Sequence, residues 1–119
     1  MEFDRYTVAL VVLRPDAPKL DPATEAKVQD AHLAYLALLH DEGRLLAAGP
    51  LLSGSQGTIR GLTIFRGSET ELRSCVEADP WVRAGYLEYQ FFPWMVPKGA
   101  VHFSHIKFPR SSAEAESRD

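Results

Sequence analysis

Residues 6–14 read YTVALVVLR, a β-branched run that is apolar on both alternating faces. Tyr6, Val8, Leu10 and Val12 fall on one side of a strand, and Ala9, Val11 and Leu13 on the other. A strand that is apolar on both faces has to be covered on both. The rest of the chain must supply two covering layers.

Working outward, Arg14-Pro15 to Leu20 is a proline-interrupted loop, and Asp21-Pro22 opens a helix with a carboxylate cap and proline at the first helical position. The spacing predicts that helix over 22–42, with Gly43 as its stop. RLLAAGPLL (44–52) is a short apolar strand broken by Gly49-Pro50. Proline cannot donate to a ladder, so this strand belongs at an edge. Ser53 to Gly57 is a turn, and its Gly54-x-x-Gly57 spacing lacks the lysine and following helix of a phosphate loop. TIRGLTIFR (58–66) alternates as a strand, and Ser68-x-x-Glu71 is a capping box opening a helix to about Ala78, where Asp79-Pro80 breaks it. YLEYQFFPWMV (86–96) is an aromatic strand with a late bend at Pro93, and AVHFSHIKF (100–108) is read as a short extra strand.

The order β-α-β-β-α-β is that of an α+β, ferredoxin-like split βαβ fold: one antiparallel sheet with two helices on one face. Two helices cover one face only. The other calls for a second copy of the same sheet, so a symmetric homodimer through the sheet face is expected. Residues 1–108 make one domain, and the polar residues 109–119 read as a disordered tail.

Composition narrows the function classes. The chain has 119 residues, with 13 Lys+Arg against 16 Asp+Glu, a net charge of −3 that argues against nucleic acid and anionic membrane as partners. The single cysteine, Cys75, excludes an internal disulfide framework. It has no basic neighbour in sequence placed to make it a thiolate, so it reads as packing. No apolar run approaches the roughly 20 residues of a membrane span. MEFDRY lacks the basic and apolar regions of a secretory signal, so a cytoplasmic protein is expected.

Two residues stand out for chemistry. His32 shares a helix face with Val28, Tyr35 and Leu39. In such a stripe an imidazole is either a core group bonded to a backbone carbonyl or an acid–base at the rim of a pocket. Asp79 ends a helix against the dipole, which points either to a cap on a turn from Pro80 toward Gly85 or to a further role. Gly49-Pro50 is first a matter of backbone geometry, although glycine also lets a ligand approach the main chain. Tyr86, Tyr89, Phe91, Phe92 and Trp94 read as core and interface residues, of which one or two, Trp94 among them, can wall an apolar pocket. His40 reads as solvated helix surface. His102 and His105 fall on opposite strand faces, a poor metal pair, and no metal site is expected.

The words AHLAYLALLHDEGRLLAAGPLL (31–52), ADPWVRAGYLE (78–88) and the Pro93-Trp94 ending resemble the YciI, or YCII-related, family over about residues 6–97. The resemblance implies a dimeric ferredoxin-like fold like that of muconolactone isomerase, an α–β barrel dimer, with a paired histidine and aspartate in a small pocket. By motif these fall on His32 and Asp79. One branch of the family removes chloride from a chlorinated hydroxyquinol. The implied chemistry is a cofactor-independent lyase, dehydrochlorinase-like or isomerase-like, acting on a small cyclic substrate. In it Asp79 fixes the imidazole, His32 moves the proton, and Tyr35 orients a substrate oxygen. The alternatives are a metabolite-binding or accessory module without catalysis, and a structural dimer in which His32 is a core residue. The proline-rich 15–22 loop and the segment after Pro97 depart from the family pattern, so the substrate does not carry over.

Overall fold

The computed structural model describes residues 1–52 and 57–117. The chain runs β1 (Phe3–Leu13), α1 (Pro22–Asp41), β2 (Leu45–Pro50), β3 (Ile59–Phe65), α2 (Glu69–Glu77), α3 (Pro80–Arg83), β4 (Leu87–Pro97) and α4 (Ser112–Ser117). Most of the turn expected at 53–57 lies outside the described residues. No described helix is long and apolar enough to cross a membrane.

The four strands form one sheet in the order β2-β3-β1-β4, and all three pairings are antiparallel. The doubly apolar β1 is central, as its sequence requires, and the proline-bearing β2 and β4 are the edges. Pro93 does not interrupt β4: its ladder with β1 runs unbroken from Leu87 to Pro97. On an edge strand, proline's missing N–H can face away from the ladder.

Register assigns the faces, because directly opposed residues in an antiparallel pair share one. Thr7, Ala9 and Val11 stand opposite Phe65, Thr63 and Gly61 on β3, and opposite Pro93, Phe91 and Tyr89 on β4. That face carries the core. Ala9, Leu45 and Phe65 of the sheet pack with Leu36 and Leu39 of α1 and with Leu72, Cys75 and Val76 of α2. Phe65, Leu45 and Leu72 are fully buried, worth roughly 1.5–3 kcal/mol each. The two buried threonines are satisfied: Thr63 Oγ1 donates to the Ala9 carbonyl at 2.9 Å and Thr7 Oγ1 to the Gly67 carbonyl. On the opposite face no described helix packs over Val8, Leu10, Leu62 and Phe92, and Phe92 is 48% exposed.

The helix ends follow their sequence signals. Asp21 caps α1, accepting from Thr24 N at 2.7 Å, and Gly43 leaves it at φ +78°. Ser68 caps α2 by accepting from Glu71 N at 3.4 Å. Its hydroxyl also donates to the Glu71 carboxylate at 3.2 Å, in place of the backbone return bond of a full capping box.

The C-terminal segment differs from expectation. Residues 100–108 form no strand. Lys98 N donates to the Glu2 carbonyl at 3.0 Å and Gly99 N to the Asp4 carboxylate at 2.9 Å, so the chain turns back beside the start of β1 instead of extending the ladder. Phe103 then reaches Tyr6, and Phe108 stacks on His40 with ring centroids 4.0 Å apart. His40 is thus a docking surface, not simply solvated helix. Where the sequence predicts a featureless tail, α4 lies along α1, held by the Arg110–Asp41 ion pair and by Ser112 N donating to Asp30 at 2.9 Å.

Candidate functional site

Asp79 sits between the end of α2 and the proline that starts α3. Pro80 fixes the first helical position, and Asp79 Oδ1 accepts from Trp81 N at 2.9 Å, capping α3. The same carboxylate is 1% exposed and reaches across to α1, where both of its oxygens lie 2.9 Å from His32 Nδ1. Tyr89 of β4 completes the shell, its hydroxyl donating to Oδ2 at 2.7 Å. Cap and histidine partner are therefore one residue, and the two readings of Asp79 coexist. A buried carboxylate is tolerated only when its oxygens are bonded. Here three separate elements supply donors.

This shell also orients the imidazole. With Nδ1–H directed at a carboxylate that already accepts from Tyr89 and Trp81, Nε2 is left without a protein partner among the described residues. The His32 side chain is 14% exposed, enough to meet a ligand. Tyr89 is the reverse case. Burial, followed by the adjacent Asp79 charge and the hydrogen bond to it, pushes its hydroxyl well above the ordinary tyrosine value, so it stays a neutral donor.

His32 lines a cleft of about 560 Å³ between α1 and the sheet, within the range of small-molecule sites. Trp81 and Tyr89 wall it on one side, and Trp81 Nε1 is tied to Gln29 Oε1 at 2.8 Å. Gly49 and Pro50 border it from β2, and Arg60 from β3. Phe108, Ser112, Ala115 and Glu116 of the C-terminal segment close its outer side.

Of the residues singled out in the sequence, His32 and Asp79 are brought together across 47 positions, and Gly49 and Pro50 reach the cleft. Tyr35 and Trp94 do not line it. Tyr35 lies three residues beyond His32 on α1 and points over α2, where its hydroxyl donates to the Cys75 carbonyl at 2.7 Å. Burial first, then neighbouring Cys75, pushes that hydroxyl up to about 12. Trp94 is an odd number of residues from Tyr89 and so faces the other side of the sheet, its ring 6.0 Å from Tyr6. Cys75 is buried packing, but it does have a basic neighbour: Arg44 Nη1 lies 3.9 Å from its sulfur, 31 residues away in sequence.

Sequence reasoning missed Tyr89 as a partner of Asp79, Gln29 and Trp81 as a wall, Arg60, and the closing segment. Two signals were present. Tyr89 alternates with Glu88 and Gln90, which turns it toward the helices, and a buried tyrosine hydroxyl needs a partner. Arg60 is a lone charge within TIRGLTIF.

The family description of the YCII-related domain matches residues 8–95. Two curated proteins named Protein YciI, from Escherichia coli O6:H1 and Shigella flexneri, are each 43% identical over 70 residues, covering 52% of this chain and 70% of theirs. Among solved structures, 5-chloro-2-hydroxyhydroquinone dehydrochlorinase from Burkholderia phenoliruptrix, in complex with 2,5-dihydroxybenzoquinone, superposes with a TM-score of 0.51 at 22% identity. The match covers 81% of this chain and 96% of that one, a likeness of fold.

Proposed function

The chain belongs to the YCII-related family, and from that premise we propose that it is a small-molecule enzyme in which His32, held by Asp79, transfers a proton on a cyclic substrate bound in the cleft. The observation that carries this reading is the bonded Asp79 carboxylate behind His32 Nδ1, which leaves Nε2 available beside the cleft. Nε2 takes a proton from the substrate and either returns it at another atom, an isomerisation, or keeps it while a leaving group departs with its bonding pair, an elimination. Both are redox-neutral, so the reaction calls for no electron-transfer cofactor. The dehydrochlorinase of similar fold, bound to a dihydroxybenzoquinone, supports the cyclic class of substrate.

The same reading assigns the sheet to the ferredoxin-like arrangement, on its order β2-β3-β1-β4 with every pairing antiparallel. It includes a homodimer through the open sheet face, supported by the exposure of Phe92 and Leu62 there, and a cytoplasmic location without nucleic-acid or membrane partners.

The test is turnover. A panel of halogenated phenols, cyclic enols and lactones is incubated in deuterated buffer, and product formation and deuterium uptake are followed by NMR. General acid–base catalysis contributes about 10²–10⁴-fold, so His32→Ala and Asp79→Asn should each lose about that much of the rate while remaining folded. Full rate in both variants would exclude the pair. Stoichiometric binding with no product would leave a metabolite-binding module instead.

A further inference from the structure

We infer that Arg60 is the anion anchor of the cleft, so that the ligand is a small, largely apolar ring carrying an anionic oxygen, a carboxylate or a phenolate. The inference rests on the functional reading above insofar as the ligand is the substrate of that site.

The geometry begins with a bulge. Val11 pairs with Gly61, but the next residue of β1, Val12, pairs with Ile59. Arg60 is the extra residue and has no β1 partner. A bulge bends its strand and re-aims the side chain it carries, and bulges recur beside functional sites for that reason. Arg60 then lines the cleft that His32 lines from α1, so the guanidinium belongs to β3 and the imidazole to the helix facing the sheet.

The second observation concerns hydrogen bonding. Arg60 Nε is shielded from solvent and has no hydrogen-bond partner among the described residues. No other side-chain nitrogen or oxygen among them is left in that state. A guanidinium is charged at every working pH and only donates. Leaving such a donor buried and unbonded is costly, and native proteins retain such groups chiefly where something else binds them.

The surroundings indicate what that something is. Val11, Leu33, Leu36, Leu87 and Phe108 make most of the lining apolar, and the Trp81 and Tyr89 rings add flat walls. Asp79 lies behind His32 with its oxygens already bonded. Glu116 on α4 borders the cleft but is exposed, and no ion pair joins it to Arg60. An apolar body with one delocalised anionic oxygen satisfies both the walls and the unbonded donor, and it leaves the atoms nearer α1 to His32.

The test is binding, with turnover kept separate. Benzoate, 4-nitrophenolate and the uncharged isostere benzamide are titrated into the full chain while the arginine Nε–H and histidine ring resonances are followed by ¹⁵N NMR. A charge-assisted bond predicts that at least one anion binds about tenfold or more tighter than benzamide and shifts the Arg60 Nε–H signal. Whichever anion does so identifies the oxygen. Arg60→Gln should bring anion and amide to within about twofold, Arg60→Lys should retain part of the preference, and His32→Gln should retain it. Equal binding of anions and amide, a preference that survives Arg60→Gln, or no binding up to the solubility limit would each overturn the assignment. If Arg60→Gln does not fold, the wild-type Nε–H signal and the amide comparison still decide. A clear preference without turnover on any ring acid would uphold Arg60 and remove the enzymatic reading, so the two fail separately.

Discussion

The Tyr89 hydroxyl lies 2.7 Å from Asp79 Oδ2, and through that bond the edge strand β4 holds the carboxylate that holds His32. Asp79 would otherwise present a partly bonded charge in a buried position. With Tyr89, Trp81 N and His32 around it, each oxygen has at least two neighbours, and the imidazole has one defined orientation.

Long-range ¹H–¹⁵N correlations should therefore find the neutral His32 ring with its proton on Nδ1. In Asp79→Asn the carboxamide offers a donor as well as an acceptor, so the other tautomer should become populated. Loss of the charged acceptor should also cost about 1–3 kcal/mol of unfolding free energy. A wild-type ring protonated on Nε2 would contradict the proposed orientation.

Tyr89 makes stability depend on alkaline pH. Its hydroxyl is held well above its ordinary value near 10, first by burial and then by Asp79, so the folded state favours the protonated phenol. That contribution is complete below about pH 10 and is lost as pH rises through the folded-state value. Tyr89→Phe should cost about 1–3 kcal/mol near neutrality, because Asp79 Oδ2 loses a donor, and should show a shallower decline above pH 10. Urea unfolding at neutral and alkaline pH checks both. Parallel pH profiles for the two proteins would contradict the account.

The stack of Phe108 on His40 anchors the segment that closes the cleft. Phe108→Ala should remove part of a core contact and cost about 1–2 kcal/mol, less than a fully buried phenylalanine because this ring is only part-buried. It should also open a route to Trp81. Acrylamide quenching in a Trp94→Phe background, where Trp81 is the only indole, should rise in Phe108→Ala. Unchanged quenching would mean that the segment does not control access.

The open sheet face should carry the subunit contact. Leu62 lies at its centre on β3 and is 36% exposed in the single chain. Leu62→Glu would place a charge in a buried apolar contact, so sedimentation should find a dimer for the parent chain and a monomer for the variant. A dimer unaffected by this change would have to use another surface.

The four strands of the sheet, helices α1 and α2 and their caps were legible because each depends on local chemistry. The β1 run is apolar on both faces from Val8 to Leu13, Asp21-Pro22 and Ser68-x-x-Glu71 begin helices, and Gly43 ends one. His32 and Asp79 were legible as unusual residues in their own elements. The C-terminal segment was not: 100–108 reads as a strand and the polar 109–119 as tail, and the attachment of both depends on His40, Asp41 and Asp30, all far away in the chain. Trp94 was misplaced because an aromatic strand does not reveal which of its two faces meets the helices until the register with β1 is known.

By itself the sequence determined the four strands of the sheet, helices α1 and α2, their order and the need to cover both faces of β1, since periodicity and capping act over a few residues. Only the tertiary structure decided that Asp79 caps a helix and holds His32 at once, that Tyr35 turns to Cys75, and that a bulge delivers Arg60 to the cleft. Each of these depends on hydrogen bonds or register between segments distant in the chain. A side chain's neighbours across a sheet or between helices are set by packing in three dimensions, which no local pattern records.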